Sequence, residues 1–546
     1  MATQRRENPI KLLVGCGLFG YGAWYLDNHF GYAMRMEAFI LLGFAGVCAW
    51  FATINILFFV IPQSIRYWWV GRIRNRAGSA GWANFKDIKR AKLHTKSGFL
   101  AGMFNNKKPL FVDVESSGLV LSPAGGGKTV SFVIPALCHN PMSMIVPDLK
   151  GILACMMAKY REKHFKHQSI ILNPAGLYAD ILGEGSRYNP LEILKDNWAD
   201  PTLHNQLFAD AQSIAKQLHP DPPTEGENQY FRNGSRKFLI FTFTYLVTMT
   251  NSANLSQALS LLSDSEALND ALLEASMSNV LSGDLARLAK DLLTKIESGD
   301  AKQIESFREG AVQSLADFSP SGALAAQTEQ SDFRFSDLRE KGITVYIIAD
   351  PTRATSYATW LGLVSWCALN ELIRNPKGSK VCMLCDEVTN FRINNLPSML
   401  TLVREFGIVM WLIVQELDEW AKTYGRESLE TLLSQTEAKI IMGSSSFKTC
   451  KLVSDMLGEQ SILSKNYNLG TSFFSPISKA YQEHGRRLLT PDEVRRFGYT
   501  ILFYRNHRPV KLNQIGYHEI RPWSRKVGIN PLFGKRYKGR ARLRLW

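Results

Sequence analysis

The sequence lacks a disulfide framework. Its eight cysteines in 546 residues are scattered (Cys16, Cys48, Cys138, Cys155, Cys367, Cys382, Cys385 and Cys450), mostly in apolar runs. That is the distribution of buried, reduced thiols. Cys382 and Cys385 have CxxC spacing, but they lie in "KVCMLCDE", which reads as a buried strand. Side chains three apart on a strand point to opposite faces, which argues against a shared metal or a disulfide. Internal repeats are missing, and one segment, the C-terminus, is strongly biased. Acidic residues are in deficit: Lys plus Arg number 64 against 49 Asp plus Glu, a net charge of +15. Such an excess favours a polyanionic partner, either nucleic acid or an anionic leaflet, without choosing between them.

Charge is absent from "AFILLGFAGVCAWFATINILFFVI", 38–61, a run of 24 residues. As a helix it is about 36 Å long, enough to span a hydrocarbon core of about 30 Å with tilt. A helix in contact with water needs a polar face, and this run has none, which disfavours a core helix of a soluble protein. A shorter run, "LLVGCGLFGYGAWYL" (12–26), is also apolar, with Lys11 placed to snorkel and Trp24 and Tyr25 suited to an interface. Arg5 and Arg6 ahead of it imitate a signal peptide, but a second span so soon afterwards favours an anchor hairpin. Arg5, Arg6 and Lys11 precede the hairpin, and Arg66, Arg72, Arg74 and Arg76 follow it. The loop between carries one Arg against Asp27 and Glu37. Both ends are therefore expected in the cytoplasm. The expected anchor is 1–64, with a cytoplasmic body after it.

Within the body, strand-like runs recur at 118–122, 142–147, 169–173, 343–349, 380–386, 408–414, 438–442 and 499–504. Many alternate with helical patterns such as 129–138, 151–164, 355–373 and 447–457. That alternation predicts an α/β fold with a parallel sheet covered by helices. From 196 to 325 only helical patterns occur. The expectation is an all-helical domain inserted between two parts of an α/β domain, 65–195 and 326–520; helices of the α/β domain with unnoticed strands between them are the alternative. The last 26 residues, 521–546, hold nine basic residues and no acidic one. They read as a tail that contacts DNA or an anionic leaflet, or as a solvated tail.

Residues 122–129, Ser-Pro-Ala-Gly-Gly-Gly-Lys-Thr, fit the phosphate-loop pattern except that Ser122 stands at the first glycine. Gly125, Gly126 and Gly127 let backbone amides face a phosphate, Lys128 is placed to reach the β- and γ-phosphates, and Thr129 to ligate Mg²⁺. A strand is expected before this loop and a helix after it, whose N-terminus adds favourable partial charge. "VCMLCDE" gives an apolar strand that ends in Asp386 and Glu387. Asp386 suits Mg²⁺ held through water, and Glu387 suits polarising an attacking water. Gln415 follows the strand 408–414, at the sheet edge where α/β ligands bind. It is either a γ-phosphate sensor or a solvated strand-end residue. Arg404 is either a surface charge or a group reaching a neighbouring subunit's nucleotide.

Together these residues resemble the type IV coupling proteins, the TraG/VirD type of conjugation and secretion ATPase. "GSAGWAN" (78–84), "VIPAL" after the loop, "VPDLKG" (146–151), "RYNPL" (187–191), "SDFRFSDLREKGITVYIIADP" (331–351), the Asp386–Glu387 pair, Arg404 with Gln415 eleven residues later, and "LLTPDEVRRF" (488–497) all resemble family segments in order. The resemblance implies a RecA-like P-loop domain with an inserted all-α domain, anchored as a multi-pass protein in the bacterial inner membrane and assembled as a homo-hexamer. It implies ATP and Mg²⁺ as ligands, Gln415 as γ-phosphate sensor and Arg404 as a trans arginine finger. The implied partners are DNA with bound relaxase or protein effectors, the inner-membrane components of the secretion system, and the lipid bilayer. Delivery of such a substrate by ATP hydrolysis is the leading expectation. The alternatives are an effector-docking receptor that uses ATP for assembly, or an FtsK-type DNA pump, against which the lack of a winged-helix-like C-terminal pattern counts. The external loop is shorter than is common in that family.

Overall fold

The computed structural model describes residues 9–30, 35–60, 77–222, 228–297, 301–468, 478–536 and 539–545. Two units are distinguished: Met1–Gly81 with Ser454–Thr490, and Trp82–Val453 with Pro491–Trp546.

The first unit contains two long helices, Pro9–Phe30 and Arg35–Val60. They pack through small residues: Ala23, Ala38 and Ala52 are buried, whereas Leu42, Trp50 and Phe51 face outward. Phe19 and Phe44 stack across the pair with ring centroids 6.0 Å apart, and Asp27 pairs with Arg35 at 3.8 Å. An outward apolar surface with a small-residue seam is the arrangement expected in lipid. Among the described residues one helix, over Arg35–Ile54, is long and apolar enough to cross a membrane. The first expected span lies within Pro9–Phe30, whose glycines and amphipathic aromatics dilute its hydropathy. The basic residues that set the expected orientation, Arg5, Arg6, Arg66, Arg72, Arg74 and Arg76, lie outside the described residues.

The second unit is built on one sheet. Its strands, in chain order, begin with β1 (Phe99–Phe104) and β2 (Lys108–Val112), an antiparallel hairpin beside it. The sheet itself comprises β3 (Ser117–Leu121), β4 (Ser143–Asp148), β5 (Gln168–Leu172), β6 (Ile343–Ile348), β7 (Val381–Cys385), β8 (Ile408–Val414) and β9 (Ala438–Ile441). An antiparallel extension adds β12 (Thr500–Tyr504) and β13 (Val510–Leu512). The intervening β10 (Glu459–Asn468) and β11 (Ser478–Arg487) form a hairpin in the first unit. There Ala80 donates to Glu459 O at 2.9 Å and Ser461 to Gly78 O, so the "GSAG" run is held as backbone against β10. The order across the sheet is β13-β12-β9-β3-β8-β7-β4-β6-β5, parallel from β9 to β5.

All eight expected strand runs form strands of this sheet. Continuous apolar sequence announces them because both faces are covered. The hairpins β1–β2 and β10–β11 carry mixed residues and were not anticipated. Between β5 and β6 the described residues form helices and loops only, among them Leu207–Leu218, Gln229–Met249, Asp284–Glu297 and Ala301–Leu315.

The C-terminal segment differs from the expected tail. Trp523, Val527 and Leu545 are buried. β14 (Ile520–Arg521) pairs in parallel with β15 (Leu543–Arg544), Gly528 donates to Met156 O at 2.9 Å, and Lys96 donates to Leu545 O. A few widely spaced apolar anchors among many cations dock this segment, and bulk charge conceals them.

The sheet's centre depends on one close approach. On β3, Gly118 lies opposite Trp411 on β8, and a Cβ at 118 would stand 2.5 Å from that ring. Trp411 is fully buried and packs on Phe99 and Phe132 at 5.1 and 4.5 Å. Gly118→Ala is expected to cost about 1–3 kcal/mol through overpacking, read as a lowered midpoint in thermal or denaturant unfolding. An unchanged midpoint would contradict this packing.

Candidate functional site

The parallel strands deliver four chemistry-bearing segments to one edge. β3 runs into the loop 122–129, β8 into Gln415, β7 into Asp386 and Glu387, and β4 ends at Asp148. Because the order is β3-β8-β7-β4, these segments lie side by side, about 4.8 Å per strand. The sheet topology thus closes the 257 residues that separate Lys128 from Asp386 in the chain.

The loop is tightly made. Ser122 is fully buried and donates its N–H to Val414 O at 3.1 Å, which ties the loop to β8. Gly126 donates to Pro123 O at 2.9 Å, and Gly125 and Gly127 have φ of +74° and +84°. Side chains rarely adopt that region, which explains glycine at both positions. A Cβ at Gly126 would meet Ser122 Oγ at 2.5 Å, so the serine hydroxyl fills the inside of the turn. The helix then opens with a widened turn over Thr129–Val133 and continues through Ile134–His139.

Lys128 is 8% exposed. Its Nζ donates to Glu387 Oε1 at 2.8 Å and lies 3.6 Å from Asp386 Oδ1. Burial pushes the Glu387 carboxyl up, but the hydrogen bond and charge of Lys128, with the charge of Lys150 and a hydrogen bond from Gln415, hold it below its ordinary value. Glu387 also accepts from Asn390 Nδ2 at 2.9 Å. Asp386 is raised by burial, against the pull of Lys128 and with the charge of Glu387 adding to the rise. Its Oδ1 is buried and has no hydrogen-bond partner.

Among the described residues no cluster of three or more His, Cys, Asp or Glu could hold a metal by itself. The donors present fit Mg²⁺, which is commonly bound through one or two carboxylates together with water and substrate phosphates. Asp386, whose buried Oδ1 has the Lys128 ammonium 3.6 Å away and accepts no hydrogen bond, and Thr129 at the helix start are the residues that could hold it. Cys382 and Cys385 are buried free thiols raised by burial, Cys382 to about 12.

The structure does not bring Arg404 to this edge. It precedes β8, pairs with Glu115 just ahead of β3, and its side chain is 64% exposed. The length of β8, about 20 Å, separates it from the loop of its own chain. Any contact between Arg404 and such a loop requires a second copy.

Two groups at the edge went unassigned in the sequence. Asp148 ends the apolar strand "SMIVPD", the same signature as "VCMLCDE". It accepts from Ala154 N at 2.9 Å and Lys150 N at 3.4 Å. Burial lifts its pKa to about 6, opposed by those backbone bonds and helped by the charge of Asp386. Gln514 donates to Gly126 O at 3.2 Å, and no spacing in the sequence announces it.

A carboxyl raised on folding binds protons more tightly in the native state. Its contribution to stability is therefore complete below about pH 4 and lost as pH rises through about 6. In the nucleotide- and Mg²⁺-free protein this costs about 3 kcal/mol. Asp148→Asn is expected to flatten the fall in stability between pH 4 and 7, measured by denaturant unfolding across pH. An unaltered pH profile would contradict the buried, charged assignment.

The family model described as "Type IV secretory system Conjugative DNA transfer" matches residues 74–538. The chain is 22% identical over 473 residues to the conjugal transfer protein TraG of Escherichia coli, covering 77% of this chain and 70% of that protein. It is 22% identical over 531 residues to VirD4 of Rhizobium radiobacter, covering 90% and 72%. In fold it is similar to the bacterial conjugative coupling protein TrwBdeltaN70, with a TM-score of 0.60 at 15% identity over 81% of this chain and 94% of that one. A TrwB structure in complex with the non-hydrolysable ATP analogue ADPNP gives the same score at 16% identity, over 81% and 95%. The fold is RecA-like, and the family match runs through the sheet, the helical insertion and the C-terminal segment: this chain belongs to the type IV secretory system conjugative DNA transfer family, the type IV coupling proteins.

Proposed function

We propose that this chain is a membrane-anchored ATPase that receives DNA with its bound relaxase and drives it into a type IV secretion channel. The observation that carries this is the convergence of Lys128, Asp386, Glu387 and Gln415 on one sheet edge, in a chain whose family is conjugative DNA transfer. TrwB binds ADPNP, and ADP with Mg²⁺; here ATP and Mg²⁺ are the ligands. The two packed helices of the first unit, Pro9–Phe30 and Arg35–Val60, form the anchor in the bacterial inner membrane, with both termini in the cytoplasm.

In the absence of nucleotide Lys128 neutralises Glu387. A triphosphate in the loop draws the ammonium onto the β- and γ-phosphates, with the amides of Gly125 and of Gly127 to Thr129 around them; that of Gly126 stays on Pro123 O. Glu387 then loses its strongest counter-charge, and its proton affinity rises when it is needed to accept a proton from the attacking water. Gln415, which follows β8 beside the Glu387 strand, orients that water and senses the γ-phosphate. Bound Mg²⁺, held by Thr129 and Asp386, supplies charge neutralisation at the phosphates. Arg404, exposed on the far edge, serves the site of a neighbouring subunit in a homo-hexamer and stabilises charge in the transition state there.

The net charge of +15 favours DNA over protein effectors as cargo, held through backbone phosphates. The full chain in lipid nanodiscs is expected to hydrolyse ATP faster when DNA is added. Arg404→Ala and Lys128→Ala rings are each expected to be inactive and to recover partial activity when mixed, because each supplies what the other lacks across an interface. Hydrolysis indifferent to single- and double-stranded DNA, with intact effector binding, would favour the docking receptor. Mixed rings without recovery would remove Arg404 from the site.

A further inference from the structure

We propose that Gln514 is a positioning residue for the phosphate loop, aiming the Gly127 amide at the bound phosphate from outside the loop; this rests on the nucleotide site proposed above. β13 ends at Leu512, and the chain then crosses beside residues 126–127. Asn513 is fixed first, by reciprocal 2.8 Å bonds between its own N–H and carbonyl and those of Met103. Gln514 follows, with Nε2 donating to the Gly126 carbonyl at 3.2 Å. Its Oε1 lies 3.1 Å from the place a Cβ on Gly127 would take, so the amide lies against the Gly126–Gly127 backbone. Ile515 and Tyr517, immediately after it, are buried and fix the segment.

The consequence follows from the trans peptide plane. The carbonyl of Gly126 and the N–H of Gly127 belong to one rigid unit and point in opposite directions. Holding the carbonyl outward by a side-chain donor turns the Gly127 N–H inward, where a phosphate cradle needs it. The Gly126 N–H is already used on Pro123 O, so it does not compete. Three successive glycines have little stiffness of their own, and an external tether matters most there. Gln514 touches no phosphate in this arrangement; it acts through Gly127. The segment after β13 thereby couples the C-terminal fold to the nucleotide site.

The test uses the full chain in nanodiscs and Mg·ATP. Gln514→Met keeps the length and removes the donor. Kd and KM are expected to rise about three- to tenfold, the size of one net hydrogen bond, with kcat within twofold of wild type. Gln514→Glu is expected to raise them further, because a carboxylate repels both the Gly126 carbonyl and the phosphates. Gln514→Lys restores a donor and is expected to return KM to the wild-type value or below. Hydrogen exchange of the nucleotide-free peptide 122–131 is expected to quicken in Gln514→Met. Unchanged Kd and KM in Gln514→Met, a loss confined to kcat, or equal behaviour of the Glu and Lys variants would overturn the assignment. Failure of the wild type itself to bind Mg·ATP would instead overturn the nucleotide reading.

Discussion

A buried ammonium held between two carboxylates is the constraint on which the site depends. Lys128 sits 2.8 Å from Glu387 and 3.6 Å from Asp386, with little exposure to solvent. A charge of that kind is tolerated only with partners in place. The strand order β3-β8-β7 supplies them, because it sets the loop, Gln415 and the acidic pair next to one another. On the same strands, Gly118 leaves the room that the Trp411 ring occupies where β3 and β8 pair. Packing in the middle of the sheet and electrostatics at its edge are thus one problem, solved by the same strands.

In the proposed mechanism the pairing is also a resting state. Lys128 can neutralise the carboxylates or the phosphates of a nucleotide, but one ammonium does not fully satisfy both. Binding therefore exchanges one ion pair for another, and the net gain is smaller than the phosphate contacts alone suggest. The exchange has a chemical use: it frees Glu387 when a base is required. Asp148, raised to about 6 beside Asp386, adds acidic pressure to the same edge. The positive charge of Lys150 relieves part of it.

How much the sequence disclosed depended on whether a feature is local. The loop 122–129, the eight apolar strands and the Asp386–Glu387 pair announce themselves within a few residues, through glycine spacing, continuous apolar runs and strand-end charge. The strand-free stretch between β5 and β6 was equally plain, from helical periodicity over more than a hundred residues. Features made by contacts between distant segments were not readable. Gln514 meets Gly126 only after the chain has passed through the whole sheet. Arg404 stands out through the resemblance to a family segment, but its distance from its own loop follows from its place just before β8 while the loop lies beyond the end of β3. In the C-terminal segment nine cations dominate the composition, while Trp523, Val527 and Leu545, which dock it, are too sparse to form a periodic signal. Ser122 is a local departure explained by three-dimensional packing: its hydroxyl fills the space above Gly126.

The exchange of Lys128 from carboxylate to phosphate is the centre of this account, and calorimetric titration with Mg·ATP tests it most directly. The full chain and Glu387→Gln would be compared in nanodiscs, with hydrolysis measured in parallel. Removing the Glu387 charge leaves Lys128 with a weaker partner to abandon, so the variant is predicted to bind Mg·ATP at least as tightly as wild type. It is also predicted to hydrolyse it at least about a hundredfold more slowly. Weaker binding by Glu387→Gln, or undiminished turnover, would contradict it.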